Sequence, residues 1–461
     1  MSIEYSGVKE TVMRISFTLL LATLLCVATT KVALAMDEPS AEVVRVEREL
    51  MQQAERDIEK YRKTDARIRF VDAEGQPISG VRVSIKQQNS PFLVGSIIFD
   101  QIREGQPYNP ETYRARFKEI FNFAIFPFYW AAYEPEQGKP LWRRMEPVLE
   151  WCLTNGITAK GHPLVWTAPS GKPAWIEKYS DSEQLEYLAA RVKNAVGGWT
   201  GQIDLWDVVN EAVNTRAWTD DSSGVWIAVG PEVNAGLVEQ AFGWAHQANP
   251  GAHLVLNDFY QITKEETREN FYQLVKELLR RGVPISGLGI QAHEPRQEWY
   301  PPRQVLKTYR RISELGLPLH VTEFTPQSGG KQITGGWRTG EWDLEAQSQF
   351  TEQMLTLAFA QPGMMSFNFW GFTDRNVWQK GGGLLDERYR PKPVYHKVKE
   401  LLHEKWRTNL ELTADAGGEV SFRAFLGDYL IELRIAGGRE KAWDVKLRRD
   451  EQNSWVFTVE K

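Results

Sequence analysis

The stretch Ile203-Asp204-Leu205-Trp206-Asp207-Val208-Val209-Asn210-Glu211 runs a largely apolar, β-forming segment into an amide and a carboxylate. Such a run, with β-branched Val208 and Val209 near its end, is what a strand buried on both faces requires. The same pattern recurs along the chain: FLVGSII (92–98), FAIFPFYW (123–130), AKGHPLVW (159–166), HLVLNDF (253–259), ISGLGIQAH (285–293), LPLHVTEF (317–324) and MMSFNFWGF (364–372). The segments between have helical spacing, as at 182–195 and 264–281, and the length of crossover helices. Eight strands alternating with helices over about 300 residues predict an α/β fold, a (β/α)8 TIM barrel. A doubly wound open sheet has the same local pattern.

The polar residues discriminate between the two. Run after run ends in a group that binds or reacts: Trp130, His162 and Trp166, Asn210 and Glu211, Asn257 and Asp258, Gln291 and His293, Glu323, Trp370. A closed barrel gathers all strand C-termini on one rim, so these side chains are expected to line one cleft.

Working outward, residues 90–405 form the expected barrel. Residues 36–64 carry helix formers with mixed charge and predict an exposed N-terminal helix. Residues 65–89 alternate around a Gly/Pro turn and predict a β-hairpin. Residues 406–461 contain LELTA, VSFRAF, YLIELRI, WDVKLR and SWVFTV between Gly and Asn turns. They predict a small accessory antiparallel β module, which the N-terminal hairpin is placed to complete. The module is expected to pack against the barrel rather than to bind carbohydrate through Trp443 or Trp455.

Residues 1–35 read as a secretory signal peptide: Arg14, an apolar run at 15–28, and Ala33-Leu34-Ala35 at the cleavage positions, with Met36 as the mature start. The expected location is secreted or periplasmic. No other apolar run approaches the length of a spanning helix, so no membrane segment is expected after cleavage. Cys26 leaves with the leader and Cys152 then has no partner, so the core must hold the fold.

Composition excludes several function classes. A net charge of -5 with interleaved signs offers no basic stripe for a phosphate backbone, so nucleic acid is not an expected partner. Seven histidines form neither His-Glu-x-x-His nor a Cys/His ligand cluster, so no metal is expected. Gly287-Leu288-Gly289 lacks the third glycine of a dinucleotide loop, and no Gly-x-Ser-x-Gly is present; no cofactor is expected. Eighteen Trp are many for this length; most belong to the core, and their flat faces also suit stacking on sugar rings. A monomer is expected.

Two carboxylates stand in unusually apolar contexts, Glu211 after WDVVN and Glu323 within HVTEF. A charged group at a buried strand end costs free energy unless it is paired or used. Two of them on strands four and seven point to paired-carboxylate glycoside cleavage, one carboxyl protonated to donate and one ionised to attack.

The motifs WDVVNEA, VTEF, GLGIQAH, KGHPLVW, LVLND, Trp130 with Glu134 to Gly138, and WGFTDRNVW followed by PKPVYH together resemble family 10 glycoside hydrolases, chiefly endo-β-1,4-xylanases, over about residues 90–405. The resemblance implies Glu211 as acid/base and Glu323 as nucleophile. It implies that Asn210 holds the sugar 2-hydroxyl, that Gln291 and His293 orient Glu323, and that His162 contacts the sugar in the cleavage subsite. Trp370 and Trp378 would wall that subsite, with Trp166 and Trp130 also on the substrate side. The implied activity is retaining cleavage of internal β-1,4 linkages in xylan or a related β-glycan, with polysaccharide or oligosaccharide as the partner.

The chain departs from the family where members carry Glu-Asn-x-x-Lys-Trp and Trp-His-Ser-Gln. Here stand Ile125-Phe126-Pro127-Phe128-Tyr129-Trp130 and Trp166-Thr167-Ala168-Pro169. Phe126, Phe128 and Tyr129 are expected to project from the rim, weakening hydrogen bonding to the glycone and turning the enzyme toward a different or decorated glycan. A non-catalytic glycan-binding protein is the remaining alternative; its hallmark, loss of a catalytic Glu, is absent.

Overall fold

A computed structural model describes residues 36–102, 108–213, 235–434 and 440–459. The expected leader at 1–35 lies outside the described residues. The helix Ala41–Arg62 begins at Ser40, whose hydroxyl accepts from the Val43 amide. Two strands follow, β1 (Lys63–Val71) and β2 (Arg82–Asn89). The barrel strands are β3 (Leu93–Ile97), β4 (Phe123–Pro127), β5 (Thr158–His162), β7 (Leu205–Asn210), β8 (His253–Asp258), β9 (Gly287–Ile290), β10 (Leu319–Phe324) and β11 (Met364–Phe369), with a short β6 (Val165–Trp166) added beside β7. All pair in parallel in the order β5-β4-β3-β11-β10-β9-β8-β7, and Gly161 of β5 meets Trp206 of β7 to close the ring. Helices such as Asp181–Gly198 and Glu265–Arg280 return the chain between strands, the former started by a Ser180/Glu183 capping box. The eight strands are those the sequence predicts, and they form a closed barrel rather than an open sheet.

Pleating divides each strand between two environments. Ile97, Phe123, Ile125, Leu205 and Val255 form a small cluster inside the ring. Val94, Ala124, Phe126, Trp206, Val208, Leu254 and Leu256 belong to the large core between strands and helices. The ring interior also holds buried polar groups: Lys160 Nζ lies 2.7 Å from Asp207 Oδ1, and the His253 and His320 Nε2 atoms are 3.0 Å apart. Every barrel strand therefore has a filled inner face and an apolar outer face, which is why the runs read as near-continuous rather than alternating.

The remaining strands are β12 (Asn409–Thr413), β13 (Glu419–Phe425), β14 (Gly427–Arg434), β15 (Glu440–Leu447) and β16 (Ser454–Thr458). They form two sheets, β13-β1-β16 and β12-β2-β14-β15, around a separate core that includes Ile68, Phe70, Val83, Ile85, Val420, Tyr429 and Ile431. The expected hairpin at 65–89 is corrected here: β1 and β2 do not pair as strands with each other but enter different sheets, and the bridge of Val71 with Pro77 lies in the turn between them. Each thereby gains a C-terminal strand on both sides, so neither is an edge strand. Trp443 stacks on Phe457 at 4.5 Å within this module, and Trp455 packs against the same core.

Candidate active site

Glu211 directly follows β7 and sits in left-handed backbone at φ 64°, where a residue with a side chain is strained by about 1 kcal/mol or more. Its amide donates to the Asn257 carbonyl at 2.7 Å, which holds the bend. The bend turns the carboxyl over the barrel mouth, where Oε1 accepts from Gln291 Nε2 at 2.8 Å and Oε2 from Trp166 Nε1 at 2.6 Å. Burial pushes this carboxyl up to about 8, against the lowering effect of the Gln291 bond.

Glu323 lies on β10 and is also buried. Its Oε1 accepts from Asn257 Nδ2 at 2.7 Å and stands 3.9 Å from His162 Nε2; its Oε2 stands 3.7 Å from His293 Nε2. Burial first, and the neighbouring Glu211 charge second, hold this carboxyl well above the usual range. Two neighbouring buried carboxyls cannot both ionise easily. With the proton on Glu211 the repulsion is gone, and the Asn257 amide and the Lys160 charge both favour ionised Glu323.

Both carboxyls line one cleft of about 400 Å³ together with Tyr129, Trp166, Asn210, Gln291, His293, Trp370 and Trp378. Residues 87–401 match the model of glycosyl hydrolase family 10. The chain belongs to glycosyl hydrolase family 10.

Among its relatives, endo-1,4-beta-xylanase B of Thermotoga neapolitana is 33% identical over 288 residues, 60% of this chain and 78% of the relative. Longer relatives are spanned only in part, 48% of one and 32% of another. Native xylanase 10B from Thermotoga maritima has a similar structure, with a TM-score of 0.56 at 28% identity over 68% of this chain and 96% of that one. Xylanase 10B from Thermotoga petrophila RKU-1, solved with xylobiose, gives 0.56 at 26% identity over 68% and 95%.

In this family 10 hydrolase, Asn210 is buried and accepts at Oδ1 from Asn257 Nδ2 at 2.8 Å. His293 Nε2 lies 2.9 Å from Gln291 Oε1, so Gln291 bridges His293 and Glu211 rather than reaching Glu323 with its amide; its backbone carbonyl takes the Glu323 N–H at 3.1 Å. Burial lowers His293 to about 3, so it is neutral. His162 is held through Nδ1, 2.8 Å from Asp207 Oδ2, and Trp370 packs edge-on against its ring. Trp378 is 40% exposed on the cleft wall and donates to Thr325 Oγ1 at 3.2 Å.

Three expectations are corrected. Trp130 is 1% exposed in the main core, its Nε1 donating to Glu134 Oε2 at 2.8 Å, and it does not line the cleft. Glu134 Oε1 also accepts the Gly138 amide, so the Trp130 and Glu134 to Gly138 motif clamps a loop. Phe126 and Phe128 are fully buried among barrel and helices, with Phe128 packed on Trp206 at 4.9 Å; of the three aromatics expected on the rim, Tyr129 reaches it. The pleat turns Phe126 outward while Ile125 points in, and burial of two phenyl rings outweighs leaving them wet.

Asn257 was visible in sequence only as a polar strand end, yet it joins Asn210 to Glu323 and is itself fixed by Thr322 Oγ1 at 2.6 Å. Lys264 and Arg296 also line the cleft, and nothing in their local sequence distinguishes them from surface charges. Among the described residues there is no group of His, Cys, Asp or Glu suited to a metal ion, and no helix long and apolar enough to cross a membrane.

Proposed function

We propose that the protein is a retaining endo-β-1,4-glycanase acting on xylan or a related β-glycan, exported through its N-terminal leader to a secreted or periplasmic location. The observation that carries the reading is the pair of buried carboxyls in one cleft, Glu211 hydrogen-bonded by Gln291 and Trp166 and Glu323 by Asn257. Glu211 donates its proton to the glycosidic oxygen as Glu323 attacks the anomeric carbon, giving a glycosyl ester and the free aglycone. Esterified Glu323 carries no charge, so an ionised Glu211 meets no repulsion from it. Glu211 then acts as base toward the incoming water, which cleaves the ester with a second inversion. Asn257 keeps the attacking Oε1 in place in both steps.

The substrate class is supported by the relatives, named as xylanases, one of them solved with xylobiose. The location is supported by the Arg14 and 15–28 pattern. Proton NMR of the first-formed product from a xylo-oligosaccharide tests the mechanism: the β-anomer should appear before mutarotation, and initial α-anomer would remove the chain from the retaining class.

A further inference from the structure

The cleft wall on the arc of β8 and β9, beside the strand that carries Glu211, presents two cations. Lys264 lies on the loop after β8 and Arg296 on the loop after β9; both are exposed and both line the cleft that holds the catalytic pair. Each is pinned to an aromatic face of the same cleft: Lys264 Nζ is 3.5 Å from the Tyr260 ring centre, and the Arg296 guanidinium carbon is 4.2 Å from that of Trp378. Stacking restrains the long side chains at the cleft wall. Neither cation makes a salt bridge among the described residues; Glu294, a carboxylate lining the same cleft, is stabilised in its charged form by both. The two loops are tied to each other, Thr263 Oγ1 reaching the Glu294 carbonyl and Tyr300 donating to the same oxygen at 2.8 Å.

The hydroxyls of a neutral β-glycan backbone can accept hydrogen bonds from these two cations, whereas an anionic side group also matches their charge, which makes the hydrogen bonds stronger. We propose that the β8 and β9 side of the cleft binds a β-glycan carrying an anionic side group, a uronic acid carboxylate or a sulfate ester, through Lys264 and Arg296. The inference rests on the proposed function and narrows its substrate class. Because Glu211 protonates the departing oxygen, the side group belongs to the leaving-group portion of the chain, and its recognition enters kcat/KM at the first chemical step.

The test uses the whole enzyme and a set of oligosaccharides of one backbone: unbranched, with one uronic acid branch, with that branch reduced to the neutral alcohol, and with a sulfate ester. The acid and its alcohol differ little in shape, so their kcat/KM ratio reads charge. At low ionic strength the parent enzyme should prefer an anionic substrate over its neutral counterpart by about tenfold, the value of one charge-assisted hydrogen bond. The preference should shrink in about 0.5 M salt and fall in Lys264→Gln and in Arg296→Gln. Preference for either anionic substrate supports the proposal, and the acid and sulfate arms tell the two sources apart. A ratio near one in the parent, or a ratio unchanged in both variants, overturns it while hydrolysis of the unbranched chain leaves the proposed function standing. If no member of the set is cut, the proposed function fails and this inference with it.

Discussion

At the scale of single residues, the two carboxyls have similar burial and different partners, and their variants should differ accordingly. On the proposed roles Glu211→Ala removes the proton donor, so hydrolysis of a natural glycan should fall by about 10²- to 10⁴-fold. An aryl glycoside whose leaving group needs no proton should retain its first step, and azide should restore turnover as a β-glycosyl azide. Glu323→Gln should form no covalent intermediate from either substrate by intact-protein mass spectrometry. Equal losses on both substrates at position 211 would reverse the role assignment. The raised carboxyl also has a cost in stability. Glu211 is held at about 8 in the fold against an ordinary value of 4.5, so the unfolded chain releases this proton at lower pH than the folded one. Stability is therefore lost progressively as pH rises from about 4.5 through about 8. Glu211→Gln keeps the shape without the charge. Its unfolding free energy should match the parent's near pH 4 and exceed it increasingly toward pH 8, by on the order of a few kcal/mol, read as a melting temperature that rises above the parent's with pH; an advantage independent of pH would contradict this account.

At the scale of elements, the ring closes where β5 approaches β7. A Cβ on Gly161 would lie 2.0 Å from Trp206 Cζ3 and 2.2 Å from Cε3, so the missing side chain is what admits the buried indole. Gly161→Ala must push the strands apart beside His162, and urea titration should show a loss of about 1–3 kcal/mol or more, with kcat reduced because His162 moves with its strand. An unchanged midpoint would show that the closure tolerates more slack than the packing indicates. Gly289 has a related role nearer the chemistry: a Cβ there would come within 2.3 Å of Asn257 Oδ1, the group whose amide holds Glu323. Glycines on these strands thus make room for large or polar neighbouring side chains, Trp206 beside Gly161 and Asn257 beside Gly289.

At the scale of the whole molecule, the accessory module is woven from both ends of the described chain. β1 lies between β13 and β16, and β2 between β12 and β14. Helix Ala41–Arg62 leads into β1, and Arg62 donates to the carbonyls of Gln361 at 3.0 Å and Met364 at 2.9 Å on the barrel. A chain ending at Arg407 would leave β1 and β2 with both edges bare and Ile68, Phe70, Val83 and Ile85 uncovered. Such exposed strands invite association, so the shortened protein should be recovered mainly in the insoluble fraction, whereas soluble monomer with the parent's melting temperature would show the barrel to be independent of the module.

The sequence by itself determined the barrel and its chemical rim. Strand-length apolar runs ending in Asn210-Glu211, Gln291-Ala292-His293 and Glu323 state both strand identity and direction, and a closed parallel ring allows those ends only one meeting place. Tertiary structure alone decided which neighbours a side chain faces. The pleat phase of β4 sent Phe126 to the helices, and packing against Trp206 took Phe128 from the rim. The availability of free strand edges, set by residues more than 300 positions away, drew β1 and β2 apart instead of pairing them. Burial, a property of the assembled cleft, raised Glu211 to about 8. Lys264 and Arg296 became cleft residues because two loops distant in sequence converge beside β7, and no local pattern records a convergence of that kind.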